Sequence, residues 1–349
     1  MGRFLLFLAS FLPLVCFCNG QGKQFFQLMG DQTQVHQYIQ TQEDTDRLFF
    51  FEKLFQKQKS KEIKADDREG EIPKILHFIW LGPEPCPPKY TKYLKRWIET
   101  HPKWKIQFWT DSNLPVPFGE MEGCRVKDLT FSLLEEPYYE AVHLAEKAKI
   151  LAYEILLQRG GVYVDHRVVV CKALDGLNEK FDFYCGLSRL GPSVLSSSIY
   201  PSSHLIAIKP GHPVMKETAL WLASQWERLE KCYPGTSKMD CVNRIWHRTL
   251  WALSEGIDRG IDQGGNNDVV FPSNFFSESE QTPSSYTTYE RPQIWSGIPK
   301  RIDTLIRNSV QEAVDWDQKI LRRTVIFMVL SFFGWIFIFI YAGSIKREA

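Results

Sequence analysis

The stretch from Ala145 to Arg167 limits what this chain can fold into more than any other. Apolar residues at helical spacing run into Gly160-Gly161, and a short apolar run then delivers a carboxylate, Asp165, at its C-terminal end. Helix, double glycine, strand, acid is the order of an α/β unit, and such sheets collect ligands at the C-terminal ends of their strands. An acid so placed can hold a divalent cation against a diphosphate, because hard cations take oxygen ligands. The plainer alternative is an aspartate that merely ends a strand.

The flanking segments extend the pattern. Lys74 to Trp80 is apolar and short enough for a strand, closed by Gly82-Pro83. Tyr90, Tyr93, Leu94, Trp97 and Ile98 share one helical face, and Lys105 to Trp109 alternates as a second strand. Strand, helix, strand over so few residues implies a βαβ unit and a parallel sheet. A helix is expected from about Tyr138 to Gln158, a strand over Val162 to Val170, and further strands at Phe181 to Leu187 and Leu205 to Lys209. Pro213 to Leu229 fits a surface helix, and Val269 to Phe271 a last short strand. The expected domain runs from 72 to 300.

Outside it lie four other segments. Phe4 to Cys18 is an apolar run behind Arg3, read as a signal peptide or anchor over 1–20. Residues 21–71 are polar, with one apolar patch at Leu48 to Phe51, and are read as a helical stalk and linker. A juxtamembrane helix is expected over 301–323. Thr324 to Ile345 carries no charge over 22 residues, long enough to cross a hydrocarbon core of about 30 Å as a helix. Arg322-Arg323 and Lys346-Arg347 bracket it, so charge hardly selects an orientation. The expectation is a single-pass membrane protein whose globular domain is extracytoplasmic or in the Golgi or ER lumen.

The net charge of +1 and the lack of a long basic run give no argument for nucleic acid as a partner. Beyond the leader, Cys86, Cys124, Cys171, Cys185, Cys232 and Cys241 contain no CxxC pair, which removes zinc-finger and thioredoxin readings. Six is an even number, so disulfides are allowed, with Cys232 and Cys241 the easiest local pair. No GxSxG, Walker A or GxGxxG motif occurs.

Three blocks in order resemble the glycosyltransferases named for a sugar-binding region with a DXD motif. They are Ile72 to Gly82, then His101-Pro102-Lys103-Trp104 with Phe108-Trp109-Thr110-Asp111, and Ala148 to Asp175; Ile208 to Pro213 adds a weaker fourth. The resemblance implies an α/β, GT-A-like fold with a mostly parallel sheet. It also implies a nucleotide-sugar donor, a Mn2+ or Mg2+ ion, retention at the anomeric carbon and a glycan or lipid-linked acceptor.

By the same likeness Asp165 is the first acid of the motif and would reach the ribose and the metal. The second acid is replaced by Arg167. An acid and an arginine of the preceding helix are replaced by Lys149 and Ala152. An arginine cannot ligate a cation, although its planar fork matches phosphate oxygens. Lys149 and Arg167 are therefore expected near the diphosphate or sugar as candidate catalytic residues beside Asp165. His77, Trp80, Tyr153 and Tyr163 are candidates for donor binding, with Trp80 placed to stack on a base. His166 is expected to point elsewhere and to have no role. Asp268 and Asn274 are further polar candidates, as are Tyr286, Tyr289, Arg291 and Trp295-Ser296 in place of the His and Ser-Trp pair of the family. Loss of acids on a retained frame equally describes a domain that has become a binding module without turnover.

Overall fold

The structure, a computed structural model, describes residues 22–29, 39, 41–60, 71–189, 199–234, 238–276 and 285–290. All of these belong to the first of two compact units, Met1–Arg291. The leader, most of the linker, the segments 301–323 and 324–345, and Arg291, Trp295 and Ser296 lie outside the described residues. No helix among the described residues is long and apolar enough to cross a membrane.

Seven strands form the main sheet: β1 Ile75–Ile79, β2 Lys105–Thr110, β3 Glu122–Arg125, β4 Gly161–Val164, β6 Phe183–Leu187, β7 Pro201–Ile208 and β8 Asp268–Phe271. Two more, β5 Val168–Val170 and β9 Thr287–Tyr289, make a separate antiparallel ribbon. The spatial order of the main sheet is β3-β2-β1-β4-β7-β6-β8. All neighbours are parallel except β7, which runs against both β4 and β6. The expectation of an α/β fold on a mostly parallel sheet is met. The central strands read as apolar runs because they are buried along nearly their whole length. The reversed β7 matters for function, since it brings its own beginning, Ser202 to Leu205, to the C-terminal end of β4.

The helices are α1 Gly22–Leu28, α2 Gln42–Ser60, α3 Pro88–Thr100, α4 Glu135–Glu140, α5 Leu144–Arg159, α6 Asp175–Asn178, α7 Pro213–Cys232, α8 Lys238–Trp246 and α9 Ala252–Gly260. Pro88 opens α3 and Pro213 opens α7, where a missing N–H costs nothing. The single helix expected over 138–158 is two. At the break, His143 is extended and its Nδ1 accepts from the Ala145 N–H, which starts α5 afresh.

The expected strand over 162–170 is also two, because the chain turns between Asp165 and Val168 and passes to the ribbon. Within the expected 21–71 stalk and linker, α2 packs on the domain. Leu48, Phe51, Leu54 and Phe55 of α2 are buried against the domain, Phe55 meeting Phe271 of β8 edge-on. Arg47 pairs with Asp258 at 2.7 Å and donates to the Ile199 carbonyl. Its polar composition concealed a one-sided apolar stripe.

Gly160 and Gly161 have φ of 61° and 92°. A Cβ at Gly160 would sit 2.6 Å from the Pro210 nitrogen, and one at Gly161 would sit 2.8 Å from the Ile75 carbonyl oxygen. The double glycine therefore lets the end of α5 lie against the 208–210 turn while β4 enters beside β1. Cys232, half of the pair that spacing offered, is an exposed thiol.

Candidate active site

The site begins with a turn. Asp165 follows the last residue of β4, and its N–H donates to the His204 carbonyl at 2.8 Å. Its own carbonyl accepts from the Val168 N–H at 2.9 Å, which reverses the chain through His166 and Arg167. Its side chain completes an Asx-type turn, with Oδ1 accepting from the Arg167 N–H at 3.0 Å. That geometry folds Arg167 back over the carboxylate. Arg167 Nε donates to Oδ1 at 3.0 Å and Nη2 to Oδ2 at 3.1 Å, a bidentate pair.

Lys149 arrives from α5, one face of which points at the end of β4. Its Nζ donates to the Ser203 carbonyl at 2.6 Å, lies 3.3 Å from the Tyr163 hydroxyl and 3.7 Å from Asp165 Oδ2. The rings of His166 and His204 approach the same carboxylate, with Nδ1 at 3.7 and 3.9 Å. Asp165 is buried. Burial alone would raise its pKa, but His204, Lys149, His166 and Arg167 together hold it well below the usual carboxylate range. Burial lowers the pKa of His166 despite the pull of Asp165. The charge of Asp165 keeps the Arg167 guanidinium protonated against burial, and burial raises the Tyr163 hydroxyl first, Asp165 second.

The residues present do not fit a divalent cation. Both oxygens of Asp165 are taken by Arg167, and two positive side chains, Lys149 and Arg167, face this one negative one. Among the described residues no cluster of three His, Cys, Asp or Glu side chains converges on a common point. Repulsion between unit charges at 4 Å is about 4 kcal/mol at an effective dielectric of 20. Two cations therefore outweigh the attraction of one acid, and Asp165, expected as a metal ligand, is here the partner of Arg167 and Lys149.

An aromatic rim borders the pair. Trp80, at the end of β1, is half-buried and donates its indole N–H to the Glu84 carbonyl at 2.7 Å. Its ring meets His166 edge-on at 5.2 Å, and His166 meets Tyr90 at 4.5 Å. His166 is thus part of the rim rather than turned away from it. On the other side Tyr289 of β9 stacks on His204 at 3.9 Å and carries the Arg167 guanidinium 5.2 Å above its ring. Glu290 donates its N–H to the Arg167 carbonyl at 3.0 Å, while its carboxylate accepts from Lys89 and from Tyr93 at 2.5 Å, tying the ribbon to α3.

Two expected donor-binding residues lie in the core instead. His77 is wholly buried: Nε2 donates to the Gly160 carbonyl at 2.9 Å, so Nδ1 accepts from the Trp109 indole at 3.3 Å. Burial pushes its pKa down to about 4. Tyr153 is equally buried and donates its hydroxyl to the Thr249 carbonyl at 2.6 Å. Asp268 is buried against His212 at 3.0 Å, and Asn274 is buried too.

Tyr286 packs on Phe275. Sequence reading missed His204 and Tyr90, and gave Tyr289 no contact. Only the reversal of β7 and the β5–β9 pairing, neither of which spacing reveals, bring His204 and Tyr289 to Asp165.

Residues 87–184 match the family model described as the glycosyltransferase sugar-binding region containing DXD motif. Inositol phosphoceramide mannosyltransferase 3 of Schizosaccharomyces pombe is 26% identical over 162 residues, covering 44% of this chain and 40% of that protein. Subversion of eukaryotic traffic protein A of Legionella pneumophila is 26% identical over 130 residues, 33% of this chain and 20% of that protein. The matched stretch is thus well under half of each relative. Among solved structures, the PaToxG glycosyltransferase aligns with a TM-score of 0.43 at 17% identity, covering 61% of this chain and 77% of that one. The resemblance first visible in three sequence blocks is borne out as a similarity of residues 87–184 to the glycosyltransferase sugar-binding region, and where that region has its DXD motif this chain reads Asp165-His166-Arg167.

Proposed function

We propose that this chain transfers a sugar from a nucleotide-sugar donor to a glycan or glycolipid acceptor, with retention. The observation that carries the reading is the convergence of Lys149 and Arg167 on the end of β4, next to the half-buried aromatic rim of Trp80, Tyr90 and His166. A nucleotide sugar needs positive charge for its diphosphate and an aromatic face for its base. The family match of residues 87–184 supports the same class of chemistry. In the reaction, positive charge held in place stabilises the nucleoside diphosphate as it departs. The apolar segment Thr324 to Ile345 supports anchoring in a membrane, with the acceptor close to that surface and the domain extracytoplasmic or in the Golgi or ER lumen.

Incubating the full chain with a panel of nucleotide sugars, and following release of the nucleoside diphosphate by phosphorus NMR, tests this. Release from at least one donor is expected; inertness toward every donor, with and without acceptor glycans, would remove it. A second reading is favoured by one feature, the closed Asp165–Arg167 pair in place of two acids. A domain so altered could bind a glycan or a protein without turnover. Donor binding in the absence of any transfer is the result that selects it.

A further inference from the structure

We infer that the donor diphosphate is held without a divalent cation, by Arg167 and Lys149, and that Asp165 is their internal counter-ion rather than a ligand of metal or substrate. This rests on the transferase reading above and specifies how its site works. The likeness places acids at two positions that here carry Lys149 and Arg167. Both replacements face the one acid that remains, at 3.7 and 3.0 Å. Positive charge therefore comes from the chain itself, at the place where an acid pair would recruit it from solution.

The arrangement also explains why Asp165 persists. A guanidinium and an ammonium packed near each other with no anion between them would repel, and burial would magnify the cost. Asp165 holds them together until another anion arrives. Arg167 uses Nε and Nη2 on the carboxylate, and Nη1 takes no part in that pair. Its fork suits phosphate oxygens as well as carboxylate oxygens. Tyr289 supports the guanidinium plane from below, and the Glu290 N–H fixes its backbone, so the side chain turns about a fixed origin. Asp165 is thus a positioning residue, and the groups that meet the ligand are Arg167 and Lys149.

The test uses the full chain with uridine diphosphate, guanosine diphosphate and inorganic pyrophosphate, titrated by calorimetry in EDTA and again in excess Mn2+. Affinity for at least one probe that changes less than about twofold between the two conditions is expected, with pyrophosphate retaining part of it. Arg167→Met should weaken that probe by about 10- to 100-fold, as loss of a charge-assisted hydrogen bond does. Asp165→Asn, checked for folding by near-ultraviolet circular dichroism, should leave affinity equal or several-fold tighter, because Arg167 is released.

Binding that requires Mn2+, or that disappears in folded Asp165→Asn, would overturn the inference while leaving the transferase reading intact. Failure of all three probes under both conditions, together with absence of donor turnover, would overturn both. The comparison of chelator with Mn2+ needs no variant, so the answer does not depend on how a substitution folds.

Discussion

Two buried carboxylates on the same helix–strand unit, Glu154 of α5 and Asp165 beyond β4, are stabilised in opposite ways. Glu154 Oε1 accepts from the Ser132 N–H at 2.6 Å and from its hydroxyl, and Oε2 from the N–H groups of Leu133 at 3.2 Å and Leu134 at 2.9 Å. Burial would raise its pKa, yet the bonds from Ser132 and its neighbours lower it. These donors are mostly backbone, fixed in place, and lead directly into α4. Asp165 is neutralised by the long side chains of Arg167 and Lys149 instead. A frame carboxylate is locked by groups that cannot leave, whereas the site carboxylate is balanced by groups that can turn to another anion.

The largest effects are expected in the frame. Glu154→Leu strips several N–H groups of their acceptor and should lower stability by about 3–5 kcal/mol, read by urea unfolding. Gly161→Ala adds a methyl 2.8 Å from the Ile75 oxygen at a φ of 92°, and should cost about 2–4 kcal/mol. If Glu154→Leu were nearly neutral, the contrast drawn between the two acids would fail. At the site, Asp165→Asn should cost about 2–4 kcal/mol because Arg167 and Lys149 lose their counter-charge. Adding Arg167→Met should restore part of that loss, a coupling that a double-mutant cycle measures.

Acid sharpens the comparison further. His77 titrates near 6.5 in the unfolded chain but at about 4 in the fold, where burial keeps it neutral. The unfolded chain then binds the extra proton between those values, so stability falls as pH drops from about 6.5 to 4. The full loss is roughly 3 kcal/mol. His77→Gln should flatten that part of the stability–pH curve; an unchanged slope would place the titrating group elsewhere. Asp165, whose pKa is depressed, stays charged through this window and contributes its own loss only below about pH 4 as pH falls. The smallest effect belongs to Glu290→Gln, which breaks the partly exposed contact with Lys89 and should change stability by less than about 1 kcal/mol.

Much of the frame was legible because its signals are local. Gly160-Gly161, the apolar runs of β1, β2 and β6, and the proline-led start of α7 each follow from a few adjacent residues. The packing of α2 on the domain was not legible because its buried stripe of Leu48, Phe51, Leu54 and Phe55 is diluted by polar neighbours. The split of 162–170 was missed because Val168 to Val170 continues the apolar pattern of β4 while pairing with a strand over a hundred residues later. The site was legible only as positions. Asp165, Lys149 and Arg167 do meet, but which of them holds which, and the roles of His204 and Tyr289, depend on β7 reversing and on β9 crossing the turn. His77 and Tyr153, expected to bind the donor, lie in the core for the opposite reason, since the residue types that grip a nucleotide also fill an aromatic core.

The most direct measurement is anomalous scattering at the manganese edge from crystals of the full chain grown with Mn2+ and soaked in uridine or guanosine diphosphate. The expected map shows the diphosphate against Arg167 and Lys149, with no manganese peak within coordinating distance of Asp165. A manganese ion bound to that carboxylate, with Arg167 displaced from it, would contradict the account.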